Sequence, residues 1–346
     1  MTVSAHPLPG RARAARRGPG RLRLAVCAAT IAACVPYLTI KIAWLSGSTV
    51  GWNDVSAAED SALYAGNAIT MGMDAVAVLV AMAFTFPWGR RLPAWLVLAP
   101  IWVAAGLLAP IVLAVPLGTL LQTLFSAQPV TGDANGLQGW VYGFVYTGFT
   151  VQGLGLLTAF VLYSRDRWAW VFTTRTKDLP KGATSSLQAL LARAAAVPAF
   201  AFAAVHLYWA FGGTAGLRGD VLDHRNVPQH LADGAWGVLA IAGAAALVLM
   251  VRRAGRPGPL AAPLAAAWVG SAATFTGSLY GLLVMIGQPA GLASDFTAAA
   301  GLTALAGVLG GLLMGLTGAV LLAESHGDAR GAAGGQSARP TASSTP

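Results

Sequence analysis

The chain has 346 residues, of which 56% are apolar and 10% charged, against roughly 25% charged in an average soluble domain. That balance excludes a water-soluble globule, and hydrophobicity this high excludes intrinsic disorder of the whole chain. The formal charge of +9 raises the question of a polyanionic partner, which the positions of the basic residues must answer.

In chain order, residues 1–21 read as a disordered basic tail. Eight apolar runs follow, each near the roughly 20 residues a helix needs to cross about 30 Å of hydrocarbon. They cover 22–45, 63–87, 94–117, 137–163, 194–211, 231–251, 260–286 and 298–323. A connector of mixed charge with Pro180 and Gly182, over 164–192, separates the fourth run from the fifth. Residues 325–346, rich in Gly, Ala, Ser, Thr and Pro, read as a second disordered tail. The expected fold is all-α: a polytopic membrane protein of eight transmembrane helices, arranged as two parallel four-helix repeats over 22–163 and 193–324.

Of the 22 basic residues, 19 fall in the two tails, at the very start of the first run, or in the segments after the second, fourth and sixth runs. Arg218 and Arg225 lie on the other side, and Lys41 lies inside the first run. Short cytoplasmic loops collect Lys and Arg, so the charge reports a cell-membrane protein with both termini in the cytoplasm, and a nucleic-acid partner is not expected. Tryptophan favours the headgroup level, and Trp44, Trp52, Trp140 and Trp209 against Trp88, Trp95, Trp168 and Trp170 mark the two boundaries; Trp102 and Trp268 are deep exceptions. The stretch up to Cys34 has the look of a cleaved signal, but its apolar run continues to Leu45, which suits a retained span. Cys27 and Cys34, separated by about 10 Å along one helix, cannot bridge. No Cys-x-x-Cys, phosphate loop or metal motif occurs, and no cofactor or metal is expected.

An internal duplication emerges from the rare residues. Lys41, Trp44, Gly47, Thr49 and Gly51 align with His206, Trp209, Gly212, Thr214 and Gly216 at an offset of 165, and Pro93, Trp102 and Val103 with Pro259, Trp268 and Val269 at 166. Four spans per repeat means both halves enter the membrane from the same side, related by an axis along its normal.

An ionisable residue inside a span is a functional candidate by default. Asp74 lies near the midplane, as a proton-carrying acid, a cation ligand or a carboxyl joining helices. Lys41 either snorkels to the interface or pairs with Asp74. His206, the repeat counterpart of Lys41, is a hydrogen-bonded interfacial histidine or a titrating ligand group. Tyr142, Tyr146, Phe149 and Gln152 share a face of the fourth span. The seventh offers Tyr280 and the hydroxyls of Ser271, Thr274, Thr276 and Ser278, most of which can bond back to their own helix. Gly307, Gly311 and Gly315 form a small-residue ridge suited to a close helix partner. The loop carboxylates Asp54, Glu59, Asp60, Asp133, Asp220, Asp223 and Asp295, with His224 and His230, read as solvated charge.

His206-x-Tyr208-Trp209-Ala210-x-Gly212-Gly213 resembles a motif in a family of small four-span bacterial integral membrane proteins of unknown function. The resemblance covers about 194–324, with the first half as a diverged copy that has Lys41 for His206 and Ala43 for Tyr208. It implies a helical membrane fold and carries no activity. Three functions follow. The first is binding or transport of a small amphipathic or cationic molecule in a cleft between the repeats, with Lys41, Asp74, Tyr146, Gln152, His206, Trp209 and Tyr280 as ligand-binding candidates. The second is an embedded enzyme acting on a lipophilic, isoprenoid-like substrate with Asp74 as the candidate catalytic general acid. The third is an accessory component that packs on a partner helix through the glycine ridge.

Overall fold

The computed structural model describes residues 19–126, 136–223, 225–253, 258–287 and 297–337. Eight long helices dominate it: α1 Arg21–Leu45, α2 Ser61–Thr85, α3 Ala94–Phe125, α4 Gly139–Arg167, α5 Ser185–Ala210, α6 Val227–Val251, α7 Ala261–Gly287 and α8 Ala298–Ser337. All eight contain a stretch long and apolar enough to cross a membrane. Helices are the natural answer to such a sequence, because inside hydrocarbon each backbone polar group must be satisfied within its own segment. Among the described residues there is no strand, only the isolated bridges Trp52–Leu137 and Arg175–Pro259 between loops.

Local chemistry sets several ends. Asp60 caps α2 by accepting from Leu63 N at 2.8 Å, and Asn226 and Gln229 form a reciprocal capping box at α6 with Pro228 in its first turn. Three boundaries differ from expectation. α3 continues to Phe125 rather than Leu117, with Pro100, Pro110 and Pro116 inside it, since neighbouring helices stabilise a proline-containing span. α5 starts at Ser185 rather than 194, because Gln188 packs inward on Glu324 at 2.7 Å and gives this first turn a buried side. α8 runs to Ser337 instead of ending near 325, continuing through a stretch that no proline interrupts before Pro340. Residues 1–18 and 338–346, with Asp133, His224 and Asp295, lie outside the described residues.

In the second half, α5 packs on α6 and α8, and α7 packs on the same two, closing a four-helix ring. The first half is looser. α1 lies between α2 and α4, and α3 packs on α4, but α2 and α3 touch sparingly. α3 leans instead on α6 and α7 and joins the halves. A Cβ on Gly106 would strike the Ala272 backbone, and one on Gly118 would approach Pro228 Cα to 2.6 Å. The two deep tryptophans cross this seam in opposite directions. Trp102 packs on Phe275 at 5.3 Å and donates to Ser271 Oγ at 3.2 Å, while Trp268 stacks on Phe160 at 6.0 Å.

The glycine ridge also has partners, but they belong to the same chain. Cβ atoms on Gly307, Gly311 and Gly315 would meet Ser278 and Phe202, the Phe275 backbone, and Trp102, so the ridge seats α8 on α7 and receives α3's tryptophan. It is not a free surface for a partner helix. The outward positions are apolar, among them Leu124, Val197, Phe200, Leu302 and Leu309, as lipid contact requires.

Arg23 and Arg90 both reach Asp166 at 2.7 Å, tying together the start of α1, the junction after α2 and the end of α4. In the second half Glu324 accepts from Thr184 N at 2.9 Å and from the Gln188 side chain, and Arg253 donates to Leu179 O at 3.1 Å. This end of the molecule is the terminal face; the other is the loop face.

Candidate functional site

Cys34, Tyr37 and Lys41 are spaced i, i+3, i+7 on α1, and Asn67, Thr70 and Asp74 have the same spacing on α2, so each set forms one stripe. Antiparallel packing sets the stripes against each other as three rungs. At the top, nearest the loop face, the Lys41 ammonium donates to Asn67 Oδ1 and lies 4.8 Å from the Tyr37 ring centroid and 5.3 Å from that of Trp44. In the middle, Tyr37 faces Thr70, whose hydroxyl donates to Gly66 O at 2.8 Å. At the bottom, Cys34 stands within electrostatic range of Asp74 and directs its own Sγ–H to Thr30 O at 3.3 Å.

α4 completes the bottom rung. Gln152 Nε2 donates to Asp74 Oδ1 at 2.9 Å, while Asp74 Oδ2 is buried with no hydrogen-bond partner. Both residues lie equally far from the loop-face ends of their helices, Ser61 and Gly139, about 20 Å in at 1.5 Å per residue. Gln152, Lys41 and Asp74 are 4%, 6% and 5% exposed. Phe149 meets Tyr37 edge-on at 4.9 Å, and Tyr142 stacks on Tyr146 at 6.4 Å. Tyr146 and Tyr280 remain exposed and lie within electrostatic range of Tyr37. Tyr280 is the one member of this group from the second half.

The structure therefore aligns Lys41, Asp74 and Gln152 in one ladder, with Tyr146 and Tyr280 at longer range. It does not let Lys41 snorkel, because a helical Cα–Cβ bond tilts toward the helix N-terminus. For α1 that direction leads away from the loop face, so the stem runs down into the bundle. Nor is there a direct Lys41–Asp74 ion pair: the ammonium stops at Asn67, two turns before Asp74 on α2.

His206 and Trp209 belong to a second group. His206 Nδ1 lies 2.8 Å from Asp233 Oδ1, and the other Asp233 oxygen accepts from Arg225. Arg225 also donates to Trp209 O at 3.3 Å, and His230 Nδ1 lies 3.1 Å from the same carbonyl. Trp209 itself donates from Nε1 to Ala215 O at 2.9 Å. One edge of it lines a shallow groove of about 380 Å³ between α5 and α8, with Val205, Tyr208, Gly216, Ala299 and Thr303.

The turns after α1 and α5 share their backbone bonds. Gly47 and Gly212 have φ of 89° and 90°, and Gly51 and Gly216 both 83°. Ser48 N donates to Ala43 O and Gly213 N to Tyr208 O, both at 2.9 Å, the 6→1 bond of a Schellman ending. Trp44 Nε1 donates to Val50 O at 2.8 Å as Trp209 does to Ala215 O. The seventh-span hydroxyls of Thr274 and Thr276 bond back to Gly270 O and Ala272 O as expected.

The sequence reading passed over Tyr37, Asn67, Thr70 and Asp233. The first three were legible as stripes with Lys41 and Asp74. Asp233 was legible as the counterpart of Asn67 at the offset of 166 already seen in the tryptophans. Comparison with family models, with curated proteins and with solved structures finds no match to this chain.

Proposed function

We propose that this multi-pass membrane protein binds or transports a small cationic or amphipathic solute in the polar ladder of its first half, with Asp74 as the charged acceptor. The observation that carries the reading is the buried Asp74 oxygen with no partner. In hydrocarbon an ionised carboxylate so placed is costly, and a proton or another cation relieves it. The ladder, rather than the boundary between halves, is the place for a ligand, because α3 fills that boundary.

The basic residues at the terminal face favour a cell-membrane protein with both termini in the cytoplasm, so that the ladder is approached from outside. Toward the cytoplasm it is backed by Phe84, Phe160 and Tyr163, with the Tyr163 hydroxyl donating to Gly89 O at 2.9 Å. The repeated turn supports a duplicated four-span unit akin to the small bacterial family with the His-x-Tyr-Trp-Ala-x-Gly-Gly motif. Charge displacement in proteoliposomes on a solid support, after jumps of pH, sodium or methylammonium, tests the reading. At least one jump gives a signal in the native protein that Asp74→Asn abolishes; identical traces from both proteins would sink it.

A further inference from the structure

The ladder already holds one organic cation, its own. The Lys41 ammonium is buried on a carbonyl oxygen and two aromatic faces, which is how proteins recognise alkylammonium ligands generally. Two rungs further in lies a carboxylate oxygen with nothing bound to it, reached past the hydroxyls of Tyr37 and Thr70. We infer that the ligand class of this site is a small primary ammonium ion, and that Lys41 is its tethered competitor, exchanging between the Asn67 cradle and the free oxygen of Asp74.

The geometry allows the exchange. Asn67 and Asp74 are seven residues apart on α2, a rise of about 10.5 Å. Lys41 leans down toward the start of α1, and Asp74 leans up toward the start of α2, so the two side chains converge and a flexible four-carbon stem covers the remainder. Charge fits as well. A divalent ion seeks several carboxylate or carbonyl oxygens, whereas the ladder has one carboxylate, and among the described residues no cluster of His, Cys, Asp or Glu suits a metal. An incoming ammonium on Asp74 confines Lys41 to its cradle; when it leaves, the lysine supplies the counter-charge.

This inference rests on Asp74 being the binding carboxylate, and the experiment separates the two. Lys41, Lys177 and Lys181 are the three lysines, so the full chain with Lys177→Arg and Lys181→Arg, in nanodiscs with 13Cε-lysine, gives one Lys41 signal. Methylammonium chloride shifts that signal in the Asp74 protein and not in Asp74→Asn, while calorimetry shows Lys41→Met binding methylammonium about tenfold tighter, the gain from removing a competitor. If calorimetry loses binding in Asp74→Asn but the Lys41 signal is the same with Asp or Asn and with or without methylammonium, the exchange is refuted and the binding carboxylate stands. If sodium chloride gives the same shift and affinity, the ammonium class is refuted. If methylammonium binds neither protein, both the class and the reading beneath it fail.

Discussion

The two halves meet the same geometrical problem with different chemistry at matched positions. At the offsets of 165 and 166, Cys34, Tyr37 and Lys41 correspond to Ala199, Phe202 and His206, and Asn67, Thr70 and Asp74 to Asp233, Trp236 and Ala240. Both halves keep a polar top rung, Lys41 on Asn67 and His206 on Asp233. Below it they part. The second half fills its lower rungs with Phe202, Trp236 and Ala240, which form one apolar cluster, whereas the first continues through Tyr37 and Thr70 to Asp74. The packing agrees: the half with the apolar rungs is the closed ring, and the half with the polar ladder has its α2 and α3 barely touching. The second half thus shows a four-helix unit built with the turn and a polar top rung above apolar lower rungs, which makes the polar lower rungs of the first half the informative difference.

The most severe way to break this comparison is to give the second half the missing rung. Ala240→Asp puts a carboxyl at a position with 0% exposure, inside the apolar cluster it shares with Phe202 and Trp236. The expected loss is about 3 kcal/mol, the insertion penalty of a central Asp, read as a lower midpoint of thermal unfolding in detergent. A variant as stable as the native protein would mean that the second half tolerates the ladder and that the contrast is accidental. Next in size is Asp233→Asn. It leaves Arg225, whose side chain is 10% exposed, without its charge partner, and about 2 kcal/mol is expected from a partly buried pair broken on one side. Asn67→Ala, which removes a neutral acceptor at the matched position, costs about 1 kcal/mol on the same scale; equal losses would show that the top rungs are interchangeable.

The spans were legible in the sequence because a 20-residue apolar run has one structural solution in a bilayer. Asp74 and Lys41 stood out because charge is rare there. The ladder was harder to see. Tyr37 and Cys34 count as apolar and Asn67 and Thr70 as unremarkable polar residues, and only the antiparallel seating of α1 on α2 turns two separate stripes into rungs. Asp233 was legible only through the repeat offset, because by itself it is one charge just inside a span boundary where loop acids are common. The joining role of α3 left no mark in the sequence, since a helix apolar all round does not declare which neighbour it prefers.

Where the halves are alike, matched mutations produce matched effects. Gly47 and Gly212 hold φ of 89° and 90°, and a Cβ at either would meet nothing within 4 Å. Alanine at each adds backbone strain alone, about 1 kcal/mol, with the two unfolding midpoints shifted equally. A clear inequality would show that the two turns carry different loads despite their shared bonds.

The smallest expected effect on stability is at the residue most important to the proposed function. Asp74→Asn keeps the volume of the side chain and an oxygen to accept from Gln152, and removes a charge that has one hydrogen bond for two buried oxygens. Replacing an incompletely paired buried ionic group is often neutral or stabilising, so the expected change is between zero and about 1 kcal/mol in favour of the variant, measured by the same thermal unfolding. The lower rungs of the second half forecast the same sign, since Ala240 occupies the position in the tighter bundle. A loss of about 2 kcal/mol or more, the range for a buried group robbed of its partner, would identify Asp74 as a structural tie between α2 and α4, and would leave the polar rungs of the first half as another way of packing the same unit.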